Sequence, residues 1–211
     1  MTTRRSFIGA VAAAGTLLLA PRALAARCHT DARYREVCRA ELAFEAFREQ
    51  AYDTQHAAQW CWAACIAMVF AFHGHRVRQE RIVAEAFGGG AAGATPSIAA
   101  QLDRAWVDES GRCFRSRLRT LFDAYAGGAA LDVSAIVAAL GDNQPMILGA
   151  RDHAVVLTAI DYTTTAQGQA ALGGGVFDPW PGRGPRELSA DELVPLARGG
   201  SLGFIALPEI S

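Results

Sequence analysis

The sequence predicts an α+β fold in which a helical N-terminal half packs on a C-terminal half of antiparallel strands. Three observations carry that expectation. The chain has 211 residues, 51% hydrophobic and 19% charged, enough for one domain with a proper core and too apolar for a disordered chain. Helical spacing and long apolar runs dominate up to about residue 109, and short strand-like runs follow Gly111. Helices segregated from strands mark an α+β protein with one core between the halves.

Residues 1–25 read as an export signal, not as fold, which leaves 26–211 as the domain. Thr3 to Gly9 holds the arginine pair Arg4-Arg5 with Phe7 two residues beyond it, and an apolar run reaches Ala20. Pro21, Arg22 and the small-residue site Ala23-Leu24-Ala25 close the segment. A charged start, a short apolar centre and an A-x-A end make a signal, here resembling the twin-arginine type. Fourteen apolar residues fall short of the ~20 that span a bilayer, so cleavage is expected, with no membrane anchor and a periplasmic or secreted protein. Cleavage after Ala25 would remove three of 20 basic residues and none of 21 acidic ones, leaving a formal charge of -4.

The elements follow in order. Residues 31–50 place Tyr34, Val37, Cys38, Leu42, Phe44 and Phe47 at helical spacing, an amphipathic helix. Residues 51–60 look irregular. Cys61 to His73 is almost wholly apolar, the pattern of a buried helix, and Gly74 stops it. Val77 to Phe87 reads as another helix, closed by Gly88-Gly89-Gly90. Thr95-Pro96, a cap followed by proline, opens a helix expected to run to about Glu109. Arg112 to Phe122 alternates like a strand, although Leu118, Leu121 and Phe122 also suit a helix. Ser134 to Leu140 is a short helix. Pro145 to Gly149 and His153 to Ile160 are strands, with shorter ones at Val176 to Asp178, Arg186 to Leu188 and Leu202 to Leu207. Ala190 to Ala197 reads as a helix, and the glycine-rich stretches at 88–93 and 173–175 as turns or loops.

Charge excludes one class of partner. Every basic residue is arginine, but no basic tract forms, which argues against nucleic acid.

The chemistry starts at Gln59-Trp-Cys-Trp-Ala-Ala-Cys65. Cys61 stands at the expected start of a helix, where free N–H groups and the helix dipole stabilise a thiolate. Taken alone, it could equally be half of a disulfide, a core thiol or a metal ligand. A nucleophile needs a base, and five histidines are available. His73 is twelve residues along the same helix, ~18 Å away, and His75 lies beyond it. His29 is near the mature N-terminus and His56 lies in a loop. His153 opens an apolar strand that can hold an imidazole against a helix end. Asp178, at the end of another strand, can orient that imidazole. Gln55, six residues before Cys61, can offer an amide to an oxyanion alongside the Cys61 N–H. Cys61, Cys65, His73 and His75 contain four possible zinc ligands, but a helix holding Cys61 and His73 at opposite ends cannot bring them to one ion. Neither metal nor cofactor is expected.

Gln55, then Cys61-Trp62-Ala63, then Asp152-His153-Ala154-Val155, then Asp178-Pro179-Trp180 resembles the papain-like cysteine peptidases. The similarity is greatest to compact bacterial members with a W-C-W-A-A start. It covers the order and framing of the site from residue 55 to 182. The resemblance implies an oxyanion role for Gln55, Cys61 as nucleophile, His153 as base and Asp178 as the third group, with Trp180 shielding its bond to histidine. It implies a papain-like fold whose nucleophile helix packs on the strand half, a protein or peptide substrate as partner, and peptide-bond cleavage through an acyl-enzyme. The same triad supports isopeptidase, amidase and acyl-transferase chemistry, and the fold can also serve as an inactive binding module. The chain departs from the family in having aspartate where asparagine is more familiar, in Cys65, and in lacking room for a long pro-region between Ala26 and Gln55.

Five cysteines, an odd count, leave one thiol free in an oxidising compartment. With Cys61 as that thiol, a Cys65–Cys113 bridge would tie the halves together, and Cys28 would pair with Cys38. The second pairing needs a non-helical break between them, because ten helical residues span ~15 Å, beyond reach of a bridge. Trp62 is expected to pack the helix start against the second half.

Overall fold

The structure is a computed structural model that describes residues 26–87, 98–126 and 130–211. The signal at 1–25, Gly88 to Gly90 and Thr95-Pro96 lie outside the described residues. Among the described residues no helix is long and apolar enough to cross a membrane.

The chain begins with a hairpin of β1 (Arg27–Thr30) and β2 (Glu36–Glu41), followed by α1 (Phe44–Gln50). Two helices come next, α2 (Cys61–Phe72) and α3 (Gln79–Phe87), and then short α4 (Ile98–Leu102). β3 (Arg104–Val107), β4 (Cys113–Asp123) and α5 (Val133–Gly141) lead into the strand-rich half. That half contains β5 (Met146–Ala150), β6 (His153–Thr165), β7 (Gly168–Asp178), β8 (Gly184–Glu187) and β9 (Leu202–Ile210). All nine strands join one sheet, every named pairing antiparallel. β6 is its hub. β5 pairs with the first part of β6 and β2 with a later part, while β7 runs along it and carries β8.

α2 is apolar on all sides because it is enclosed: Ala63, Ala64, Cys65, Ile66, Met68, Val69 and Phe70 have no exposed surface. A helix of that kind takes its stability from packing, not from an amphipathic stripe. Phe70 meets Trp106 of β3 and Phe114 of β4 edge-on, with centroids 5.6 and 5.0 Å away. Phe47 of α1 and Phe177 of β7 pack at 4.9 Å.

Several expectations need correction. Residues 31–43 are not helical. Cys38, Ala40 and Leu42 are buried while Val37, Arg39 and Glu41 are less so, a period of two that the coincidental spacing of Val37, Cys38, Leu42 and Phe44 obscured. The helix expected up to Glu109 stops at Leu102. Trp106, buried between exposed Ala105 and Val107, shows β3 to be a strand edge paired with β4. Residues 173–175 are strand. A side chain on Gly174 would strike the Ala159 carbonyl and one on Gly175 the Arg39 guanidinium, so these glycines permit close strand contact. Residues 190–197 form turns, with a 3₁₀ turn at Leu196–Arg198.

Cys28 lies directly opposite Cys38 in the hairpin, 4.0 Å apart at Cα, and the two are bonded. The Cys65–Cys113 bridge does not form, and both thiols are free. Cys65 faces the core of α2, whereas Cys113 sits on the solvent face of β4, beside inward-facing Phe114. Trp62 is buried, but its ring meets Phe87 of α3 edge-on at 6.4 Å. That edge-on ring partner belongs to the helical half.

Candidate active site

Three elements meet at one end of the sheet. Cys61 is the first residue of α2, His153 the first of β6 and Asp178 the last of β7. Because β6 and β7 run antiparallel, with Val156 opposite Phe177, the start of one lies beside the end of the other. That register places Asp178 against the imidazole, whose Nε2 lies 2.7 Å from Asp178 Oδ1. The other ring nitrogen, Nδ1, is clear of Asp178, and the His153 side chain also interacts with the Cys61 thiol.

The loop before α2 is tied to the same place. Gln55 N–H donates to the Pro179 carbonyl at 2.8 Å, one residue after Asp178. Buried Gln79 of α3 braces the loop, accepting from His56 N–H at 3.1 Å and donating to Thr54 O at 2.8 Å. Gln55 itself does not point its amide donors at the thiol. Its Nε2 donates to the carbonyls of Ala57 and Ala58 at 2.9 and 3.0 Å. Its Oε1 is buried without a partner among the described residues.

The electrostatics favour an ion pair. Burial pushes the Cys61 thiol up, but hydrogen bonds from His153 and the N–H groups of Ala154 and Trp62 more than offset it, so the thiol lies below its ordinary value. Those donors, in the first turn of a helix and at a strand start, are what a thiolate needs. Hydrogen bonding to Asp178, then to Cys61, raises His153 to about 9 against the opposing effect of burial. Asp178 is fully buried. Burial alone would raise it, but bonds from His153, Trp180 N–H and Arg186 hold it well below the usual carboxylate range. By contrast, burial pushes Cys65 far up, leaving it a neutral thiol.

Trp180 stands half exposed, its ring edge-on to the imidazole at 6.3 Å, and its backbone N–H donates to Asp178 Oδ1 at 2.9 Å. A cleft of about 830 Å³ opens on this side, lined by Arg151, Asp152, His153, Trp180, Arg183 and Ser201 among others, a size that suits a peptide segment. His56 pairs with Glu80 at 2.6 Å, away from the thiol, and His29 is exposed on β1. Sequence reading missed two polar residues of the site. Gln79 and Arg186 belong to no motif, and only strand pairing and helix packing bring them here.

A family model described as "Peptidase_C39 like family" matches residues 47–191, more than half of the chain. Among solved structures, the chain is similar to "Crystal structure of a double glycine motif protease from AMS/PCAT transporter in complex with the leader peptide". That similarity has 16% identity and a TM-score of 0.43, and covers 77% of this chain and 94% of the other. No curated protein matches the chain.

Proposed function

The chain belongs to the Peptidase_C39 like family and is a papain-like cysteine peptidase, and on that premise we propose that Cys61, His153 and Asp178 are its catalytic triad. One observation carries the proposal. A thiol at a helix start meets an imidazole whose other nitrogen is held 2.7 Å from a buried carboxylate.

The thiolate attacks the peptide carbonyl, forming a C–S bond and an oxyanion. The Cys61 N–H, in a helix turn with no intrahelical partner, holds the oxyanion. Gln55 joins it by exchanging one loop carbonyl for the developing charge. The imidazolium gives its proton to the leaving amine as the C–N bond breaks. Water, deprotonated by the same imidazole, then cleaves the thioester and regenerates the thiol. Asp178 keeps the imidazole in register through both steps without taking its proton. The Cys28–Cys38 bridge supports action in an oxidising compartment, in line with removal of an export signal after Ala25.

Cys61→Ser is the direct test. Peptide-library cleavage by the purified protein should fall roughly 10⁴-fold or more, with the fold unchanged by circular dichroism. Full activity in that variant would remove the assignment.

A further inference from the structure

The oxygen of Asp178 that does not meet His153 is occupied by a guanidinium. We propose that Arg186 is a positioning residue of this active site, holding Asp178 ionised and turned so that one oxygen always faces His153. The inference rests on the triad assigned above.

Arg186 lies on β8, where Val176 pairs with Arg186 and Asp178 with Gly184. Alternate residues share a face of the sheet, so Arg186 and Asp178 are diagonal neighbours. Arg186 Nε donates to Asp178 Oδ2 at 2.9 Å. Its other two nitrogens fork onto Glu192 at 2.9 and 2.8 Å, and one also reaches the Glu187 carbonyl at 3.1 Å. Glu192 is fixed in turn by the N–H and hydroxyl of Ser189, both at 2.8 Å. The guanidinium lines the cleft, but its donors are already engaged by Asp178, Glu192 and the Glu187 carbonyl.

The consequence is a row of alternating charge: Cys61 thiolate, His153 imidazolium, Asp178 carboxylate, Arg186 guanidinium and Glu192 carboxylate. A buried carboxylate without a counter-charge is costly. The groups facing Asp178 are Tyr52 in the loop before α2, Cys65 on α2, His153 on β6, Arg183 in the turn after β7, and Arg186 on β8. Tyr52 is raised by burial and then by Asp178, and Cys65 by burial, then by Cys61 and Asp178, so both stay neutral. Arg183 is the more exposed cation and lies 3.5 Å away. Without Arg186, the close bonds from His153 and Trp180 N–H would both fall on Oδ1, and the carboxylate would be free to turn.

The test uses Arg186→Gln, Arg186→Lys and Glu192→Gln, each in a Cys113→Ser background so that the exposed second thiol does not react. Iodoacetamide alkylation of Cys61 against pH reports the ion pair, and peptide cleavage gives kcat and KM. Arg186→Gln should lower kcat roughly 10- to 100-fold, the scale for losing the outer partner of an oriented imidazole. KM should stay within about threefold. The acid limb of alkylation should move up by about one pH unit, because the thiolate loses a better-held imidazolium and a nearby cation. Arg186→Lys should restore part of kcat and most of the acid limb. Glu192→Gln, which loosens the guanidinium but keeps its charge, should lower kcat less and leave the limb in place. An Arg186→Gln protein with an unchanged pH profile, losing only its fraction of reactive thiol, would make Arg186 a structural brace and overturn the inference. Should that variant not fold, a Glu192→Gln protein with wild-type kcat would overturn it equally. Activity surviving in Cys61→Ser is a separate outcome that overturns the triad itself.

Discussion

Among the described residues two histidines meet buried aspartates, and only one of those pairs also faces a thiol. His153 meets Asp178 at 2.7 Å and His75 meets Asp108 at 3.0 Å, with both aspartate side chains at most 1% exposed. Each aspartate is also held by an arginine at 2.9 Å, Arg186 in one pair and Arg112 in the other. The difference lies in what the second ring face meets. His153 gives Nε2 to its aspartate, and its side chain also interacts with Cys61. His75 gives Nδ1 to Asp108 and lies flat on Phe114, with centroids 4.2 Å apart and planes at 16°. Asp108 meanwhile closes a turn, accepting from Ser110 and Arg112 N–H groups at 2.9 and 3.0 Å. A buried His–Asp pair is thus a general way to satisfy two polar groups. The helix start that brings a thiol to it makes the difference.

Alanine substitutions should separate the two pairs most sharply. Asp178→Ala should lower kcat per titrated thiol by roughly 10² to 10⁴, since the imidazole loses its orientation and its counter-charge. Asp108→Ala should lower the melting temperature and leave kcat per thiol near wild type. Equal loss of kcat in both variants would show that burial of any such pair, and not its contact with Cys61, decides activity.

Gln55→Ala is expected to have the next largest effect, a fall in kcat of roughly 10²-fold, toward the low end for one oxyanion donor. The low end follows because both amide donors are engaged by Ala57 and Ala58 in the resting site. Steady-state kinetics would check it: a higher KM at constant kcat would move Gln55 from the oxyanion to substrate binding.

Much of this site was readable before the fold because its signals are local. An apolar run beginning at Cys61 is a buried helix wherever it packs, and an apolar run beginning at His153 is a buried strand. Their meeting is non-local but needs only the antiparallel pairing of β6 with β7. The hairpin before α1 was hidden because Val37, Cys38, Leu42 and Phe44 satisfy helical spacing while the burial follows Cys38, Ala40 and Leu42. Arg186 could not be found at all, since an arginine on a four-residue strand has no signature until β8 is laid beside β7. The Cys65–Cys113 pairing failed for a related reason. Proximity in a linear argument says nothing about which face of β4 carries Cys113.

The charge state of the pair gives a further contrast. His153 is raised to about 9 and Cys61 is lowered, so the two shifts open a pH window in which thiolate and imidazolium coexist, and activity should fall as pH rises through about 9. The linked stability has the same sign. A histidine raised on folding stabilises fully below its unfolded value near 6.5, and that contribution is lost as pH rises through about 9. Asp178 works in the opposite direction, its contribution complete above the ordinary carboxylate range and lost as pH falls below it. A pH profile of kcat/KM with its alkaline limb near 7 would mean that Asp178 does not hold the imidazolium in solution.

The smallest expected effect is the most specific about the cysteines. Native protein at neutral pH should take iodoacetamide at Cys61, as a thiolate, and more slowly at Cys113, exposed on β4. Cys65, fully buried and raised by that burial, should react only after unfolding, and Cys28 and Cys38 only after reduction as well. Cys113→Ser should leave kcat and melting temperature unchanged, because its side chain packs on nothing in the core. Cys65→Ser should keep kcat within about threefold but lower stability by about 1–3 kcal/mol, the cost of a hydroxyl in an apolar site. Rapid labelling of Cys65 in native protein would place the second cysteine of α2 at the surface and reverse the assignment of the two thiols.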